Sequence, residues 1–291
     1  MKIHKSLAHV IPEPLLILLR NTRGRIGFAI VLFFVLMASI GPTLIPLDIK
    51  SHPSDIYLPP SQKHPLGTDY AGRDVLSLIV HGSRNCLLIG LLTGFFTLLV
   101  GIPVGISSGY IGGKMDSALM FLVDIILTIP RIPLIMVLAL SLREIINPFI
   151  LAAILGITSW AGLAREIRSR VLALKEEGFI EAAEVLGLSN LHIIFREMLP
   201  NILSYIAITY IREIISSIYA YVGIFFLGVL PYEPANWGIM LNRALSEGAL
   251  YTTRATHYLL APLISILLLQ TGLIFLAGGL ESVFNPRLRE R

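Results

Sequence analysis

Four ionisable residues fall inside otherwise apolar stretches of this sequence: Asp124, Arg131, Arg212 and Glu213. A charge at the middle of a membrane helix costs roughly 2.5–3.5 kcal/mol on insertion scales, so such residues pair with one another or face water. Asp124 and Arg131 are seven residues apart, two turns of one helix and hence one face. Arg212 and Glu213 adjoin, with Tyr210, Ser216 and Ser217 close by. The chemistry open to Asp124, Arg131, Arg212, Glu213 and Ser216 is non-covalent. They either form ion pairs that fix helix packing, or they offer hydrogen bonds to a polar solute in a water-filled path. Sequence alone leaves both readings open.

Covalent chemistry finds less footing, and no catalytic residue is assigned. The run Ser108–Asp116, "SGYIGGKMD", resembles a phosphate-binding loop but fails at both ends. Such a loop needs Gly five residues before the Gly-Lys pair and a hydroxyl after it. Here those places hold Ser108 and Met115. Metal-binding spacings such as His-Glu-x-x-His and Cys-x-x-Cys are missing, so no metal site is assigned. The single cysteine, Cys86, excludes an internal disulfide and reads as a small apolar filler. The seven histidines are scattered, and His192 is expected on a solvated face rather than as a ligand.

The elements that must position these residues follow from composition. Of 291 residues, 55% are hydrophobic and 14% charged, and mean hydropathy is +0.77. Soluble domains carry about 25% charged residues, so the chain is expected to be an all-α membrane protein. Crossing a bilayer as helix takes about 20 apolar residues. Six stretches qualify, at 26–48, 86–108, 117–140, 148–164, 202–230 and 258–280. The first has too long an apolar run for a secretory signal and reads as an uncleaved span. Pro130 and Pro133 are expected to bend the third. Glycines at spacings of four in the second, Gly90 and Gly94, then Gly101, Gly105 and Gly109, suit close helix packing.

Charge sets the orientation. Segments 1–25, 109–116, 165–201 and 281–291 hold 14 Lys and Arg; segments 49–85, 141–147 and 231–257 hold 7. The positive-inside bias therefore puts both termini in the cytoplasm. It also explains the net charge of +4 without invoking nucleic acid, which is not expected as a partner. The chain divides into a cytoplasmic segment 1–25, a first span 26–48, an extracytoplasmic loop 49–85, a five-helix region 86–281 and a cytoplasmic tail 282–291. Scarce Asn and Gln with abundant Ile suggest heat adaptation.

The 165–201 insert between spans four and five is conspicuously polar. Residues 178–186, "GFIEAAEVL", form a short helix with Phe179, Ala183 and Leu186 on one stripe and Glu181 and Glu184 turned away. Gly187 is placed to stop it in the left-handed C′ conformation. Ser189 or Asn190 can cap a second helix that Pro200 is expected to end. Two short helices at an angle cannot bury an apolar stripe alone and need a partner with a groove. Downstream, Tyr232 and Trp237 sit among prolines in 231–257, suited to a partner contact or a membrane-surface anchor.

The pattern Glu181-Ala182-Ala183, then Gly187-Leu188, then Leu199-Pro200 resembles the EAA loop of ABC importer permeases, the element that docks on the ATPase subunit. "HPLGTDYAGRDVLS", His64–Ser77, and "PANWGIML", 234–241, resemble blocks of the dipeptide/oligopeptide/nickel subfamily, and the likeness runs over nearly the whole chain. It is closest to the C-type permease subunit. The chain departs from the subfamily at Glu197, where many members have His, and at Leu78, where Arg is common.

The resemblance implies a six-helix type I ABC importer permease bundle, with 86–281 as its transmembrane domain and a coupling helix between spans four and five. It implies a non-catalytic subunit in the cell membrane that binds no cofactor, with ATP and Mg used by partners. Those partners would be a second, B-type permease, two ABC ATPase subunits and an extracytoplasmic solute-binding protein. The expected cargo is di- or oligopeptide. Oligosaccharide is the rival, nickel a weaker one, and a membrane scaffold recruiting a cytoplasmic protein is the reading from another class.

Overall fold

Apolar runs in lipid must satisfy their own backbone hydrogen bonds, which helices do within one segment. The computed structural model, which describes residues 13–251 and 253–284, is helical accordingly. Its β-type pairing among the described residues is an isolated bridge between Thr68 and Asp74. A short α1 (Glu13–Arg20) leads into α2 (Thr22–Leu44), and the long α3 (Val75–Ile111) follows. Then come two broken pairs, α4 (Gly113–Thr128) with α5 (Arg131–Ser141) and α6 (Pro148–Ile157) with α7 (Trp160–Lys175), bent by 85° and 48°. After α8 (Gly178–Val185) and α9 (Asn190–His192), a π-helical turn at Ile193–Met198 runs into α10 (Leu199–Phe226). The described chain closes with α11 (Trp237–Ser246) and α12 (Thr256–Phe284). Among the described residues, four helical stretches are long and apolar enough to span a membrane, and each bent pair taken as one crossing makes six. That is the all-α, six-span fold the sequence indicates.

Helix ends lie where local chemistry puts them rather than where hydropathy fades. α2 starts at Thr22, not 26, because Asn21 Oδ1 accepts from the amides of Arg23 (2.9 Å) and Gly24 (3.2 Å). α3 starts at Val75, inside the stretch expected as loop, because Asp74 Oδ1 accepts from Ser77 N at 2.8 Å. The third span breaks before Pro130, as the prolines require. Pro200 does not end its helix. The preceding π-helical turn shifts hydrogen bonding by one residue ahead of the proline, and the helix continues.

The described residues form two compact units. One is built from residues up to Leu88 and from Tyr221 onward. In it α2 lies against α12 at glycine contacts: a Cβ on Gly272 would meet Ile30 Cγ2 at 2.6 Å. Buried Trp237 stacks edge-on to Phe34 at 6.1 Å and donates from Nε1 to the Ile79 carbonyl at 3.1 Å. The other unit runs from Ile89 to Ala220. There the α3 glycines meet their neighbours, Gly94 against Tyr210 of α10 and Gly101 against Leu163 of α7. The small residues serve packing within the bundle.

Candidate functional site

The 178–200 element is built from short-range signals. Helix α8 ends in a Schellman arrangement: Leu188 N donates to Ala183 O at 3.1 Å, Gly187 N to Glu184 O at 2.9 Å, and Gly187 adopts φ 72°. Ser189 Oγ then caps α9 by accepting from His192 N at 3.3 Å. The chain therefore turns sharply between two stiff pieces.

The face α8 buries differs from the expected stripe. Ile180 and Ala183 are buried, whereas Phe179 and Leu186 are exposed. Ile180 and Ala183 join one apolar cluster with Ile106 of α3, Ile167 and Val171 of α7, Ile193 and Met198 of the π-helical turn, and Ile202 and Ile206 of α10. The buried face of α8 thus shares one packed cluster with α3, α7 and α10. On the outside, Val185 is 82% and Leu186 77% exposed, beside exposed Leu191 and Phe195. Large contiguous exposed apolar patches are a general feature of interaction surfaces. Glu181, Ala182, Gly187, Leu188 and Pro200 are also exposed, and Leu199 is half-buried.

Polar contacts brace the root of this element. Lys175 Nζ donates to the Tyr110 carbonyl at 3.0 Å, and Tyr110 Oη donates to Asn190 Oδ1 at 3.2 Å. Arg168 grips Asp116 with two bonds of 2.6 Å, and Asp116 also accepts from Ser108. Sequence reading missed this bracing. Its partners lie far apart along the chain, and no spacing rule links them. It also passed over Gly105–Gly109, "GISSG", which has the Gly-x-Ser-x-Gly spacing of a nucleophile elbow. That run lies inside α3, with Ser107 at the nucleophile position half-buried on a continuous helix, so the strand–turn–helix geometry such a nucleophile needs is missing there.

The intramembrane charges do not pair as their spacing suggests. The 85° break separates Asp124 from Arg131. Asp124 instead meets Arg165 of α7 in an exposed ion pair. Arg131 reaches α10 and the start of α7, donating to Ser216 Oγ at 2.9 Å and Ser159 Oγ at 2.5 Å. Glu213 is half-buried nearby on α10 and attracts Arg131 through space; Arg212 lies exposed on the same helix. Tyr205, eight residues before Glu213 on α10, donates to Glu166, and the Arg170 guanidinium lies 3.4 Å from its ring centroid.

In the other unit, the His64–Ser77 block is tied around a buried ion pair. Arg73 Nη2 lies 2.7 Å from Asp69 Oδ2, and Asp69 Oδ1 accepts from the amides of Ala71 and Arg73. Burial works against the Arg73 cation, but hydrogen bonding to Asp69 and its charge outweigh this and raise the Arg73 pKa. Arg73 also lies over the rings of Tyr70 and Tyr232, whose hydroxyls are 2.6 Å apart. Tyr232 is 46% exposed. Trp237, at 0%, is core and presents nothing to a partner or to the membrane surface; its ring fills the space left by Gly82, where a Cβ would sit 2.6 Å from the indole.

Residues 101–290 match the family described as "Binding-protein-dependent transport system inner membrane component". The chain belongs to this family. As a permease of that family it is a multi-pass membrane protein, and the matched region contains both the 178–200 element and the intramembrane charges. It is 31% identical over 274 residues to the dipeptide transport system permease protein DppC of Bacillus subtilis, covering 93% of this chain and 83% of that one. It is 28% identical over 291 residues to the oligopeptide transport system permease protein OppC of the same organism, covering 99% and 93%. Among solved structures, inward-facing MetNI methionine ABC transporter is similar at a TM-score of 0.51 and 22% identity, over 70% of this chain and 96% of that chain. That likeness concerns the fold, and the chain is a permease of an ABC importer.

Proposed function

We propose that this permease forms half of a path for short peptides and that Gly178–Pro200 is its coupling element, seated in a groove on a cytoplasmic ATPase subunit. The observation that carries the coupling assignment is the exposed apolar tip of Val185 and Leu186 on a helix whose opposite face is packed into α3, α7 and α10. Nucleotide-driven closure of two soluble subunits can move a membrane bundle only through what projects from it. A projection that is short, capped and rooted in the bundle core transmits force rather than absorbing it. Glu181, exposed in the first turn of α8, offers the ATPase a polar anchor, and Ala182 permits close approach.

The full machine would hold a second permease, two ATPases that use ATP and Mg, and an extracytoplasmic binding protein that touches this chain around Tyr232. It would sit in the cytoplasmic membrane with both termini inside. Asp124, Arg131, Arg212, Glu213 and Ser216 would line the path. Peptide is favoured over oligosaccharide or nickel because the most similar relatives reported above are named for dipeptide and oligopeptide transport. The test is to affinity-purify the tagged chain, expressed with its neighbouring genes, and assay uptake of labelled dialanine. Copurified ATPase with ATP-dependent uptake is expected; a stable chain that retains neither would overturn the reading. For orientation, Ser189→Cys in a Cys86→Ser background should resist thiol reagents applied outside intact cells.

A further inference from the structure

Tyr205, Thr209, Glu213 and Ser216 follow one another along α10 at spacings of four, four and three, which places them on one face. The stripe meets Glu166 and Arg170 of α7 at its first residue and Arg131 at its last, and Arg131 is held in turn by Ser159. At about 1.5 Å per residue it covers about 16 Å of a membrane helix. A polar line of that length is not needed for packing among apolar helices.

Among the described residues, three side-chain atoms on or against this line lack hydrogen-bond partners: the Thr209 hydroxyl and one atom each of Arg131 and Glu213. Arg131 Nε and Glu213 Oε2 are both buried without a hydrogen bond. One is a cationic donor and the other an anionic acceptor. Each lies within range of the other's charge, yet the two are not bonded to each other. A buried donor or acceptor atom of a charged group that has given up water without gaining a hydrogen bond is costly, and a ligand that supplies the missing partner relieves that cost. Ser216 and Ser159 hold the other guanidinium nitrogens, so the Nε–H is aimed rather than free to swing. What completes both atoms together must bring an acceptor anion and a donor cation on one small frame.

We propose that Arg131 and Glu213 form a station for the two charged ends of a short peptide, Arg131 Nε–H donating to its carboxylate and Glu213 Oε2 accepting from its ammonium. This deepens the reading of the chain as a peptide permease and rests on it. Ser159 and Ser216 are positioning residues for the guanidinium. An oligosaccharide offers neither charge, so the station discriminates inside the membrane, after any choice made by a binding protein.

The test uses the assembled transporter, purified with its partner subunits in lipid nanodiscs and without binding protein. Calorimetric titration compares dialanine, dialanine capped at both ends, and cellobiose. Dialanine is expected to bind, with the capped dipeptide and cellobiose at least about ten-fold weaker, since two charge-assisted hydrogen bonds are lost. Arg131→Gln and Glu213→Gln should each weaken dialanine by about ten-fold or more while the other subunits still copurify, and Arg131→Lys should retain part of the affinity. Equal binding of the capped dipeptide or cellobiose, or no binding of dialanine to the unaltered transporter, overturns the proposal. So does a variant that binds dialanine normally but sheds the second permease, because the two atoms would then serve a subunit joint. The selectivity series on the unaltered transporter decides even where a variant fails to assemble. Failure here leaves the importer reading standing, since that is judged by ATPase copurification and uptake.

Discussion

The amide of Leu188 donates to the carbonyl of Ala183 at 3.1 Å, and this bond can form only because Gly187 between them holds φ 72°. The turn that aims α9 away from α8 thus depends on one residue tolerating the left-handed region. A Cβ at Gly187 would meet nothing within 4 Å, so the penalty for replacement is in the backbone and not in a clash. Gly187→Val should destabilise the turn by about 1–2 kcal/mol, enough to misaim a docking element without unfolding six spans. Copurified ATPase and uptake are expected to fall sharply with membrane insertion unchanged. Gly187→Asn, which accepts this conformation more readily, should keep most of both.

Ile180 ties α8 to the membrane helices and is fully buried. Ile180→Ala should loosen that root at about 2–5 kcal/mol. ATP hydrolysis by the assembled transporter is expected to persist while uptake per ATP falls, measured side by side in proteoliposomes. Proportional loss of both would place Ile180 in docking rather than in transmission.

Glu181 and Glu184 are both exposed on α8, one in its first turn and one in its last. Removal of a charge-assisted bond at an interface is worth about 1.5–3 kcal/mol, so Glu181→Ala should weaken ATPase copurification more than ten-fold. Glu184→Ala should change it little. Equal effects would remove Glu181 from its role as anchor.

Asp69 and Arg73 form a buried pair at 2.7 Å in the block before α3. Asp69→Ala leaves an uncompensated guanidinium and is expected to lower stability by about 3–5 kcal/mol, read as a lower melting temperature of the purified protein. Replacing both residues by leucine should recover much of it.

Trp237→Ala should likewise lower the melting temperature, because the indole is core and its removal costs about 3–5 kcal/mol. Tyr232→Ala should spare stability and reduce uptake driven by a binding protein. A stable Trp237→Ala protein would contradict the packing described.

Sequence showed best what is decided locally. Gly187 as terminator and Ser189 as cap are spacing rules within a few residues, and the structure has both. The buried face of α8 was not legible, since a helix clasped by its own fold on one side and exposing Val185 and Leu186 on the other is apolar on both. The seven-residue step from Asp124 to Arg131 implied a shared face, but Pro130 sends the two in different directions. Trp237 looked like a surface aromatic because its pocket is made by Gly82, far upstream, which no local pattern connects to it. Glu213 and Ser216 stood out in the sequence, but Tyr205 and Thr209, eight and four residues before Glu213 on the same face, were passed over. The completion of this polar line by Arg131 and Ser159 required the fold.

The central claim is that the tip of α8 seats on an ATPase subunit. A photoreactive amino acid placed at Leu186, 77% exposed, tests it most directly in transport-competent cells. Irradiation is expected to join the chain to a nucleotide-binding subunit, with a yield that changes between ATP-bound and ATP-free states. A probe that labels only lipid or an unrelated protein, while the cells still import dialanine through the intact complex, would contradict the account.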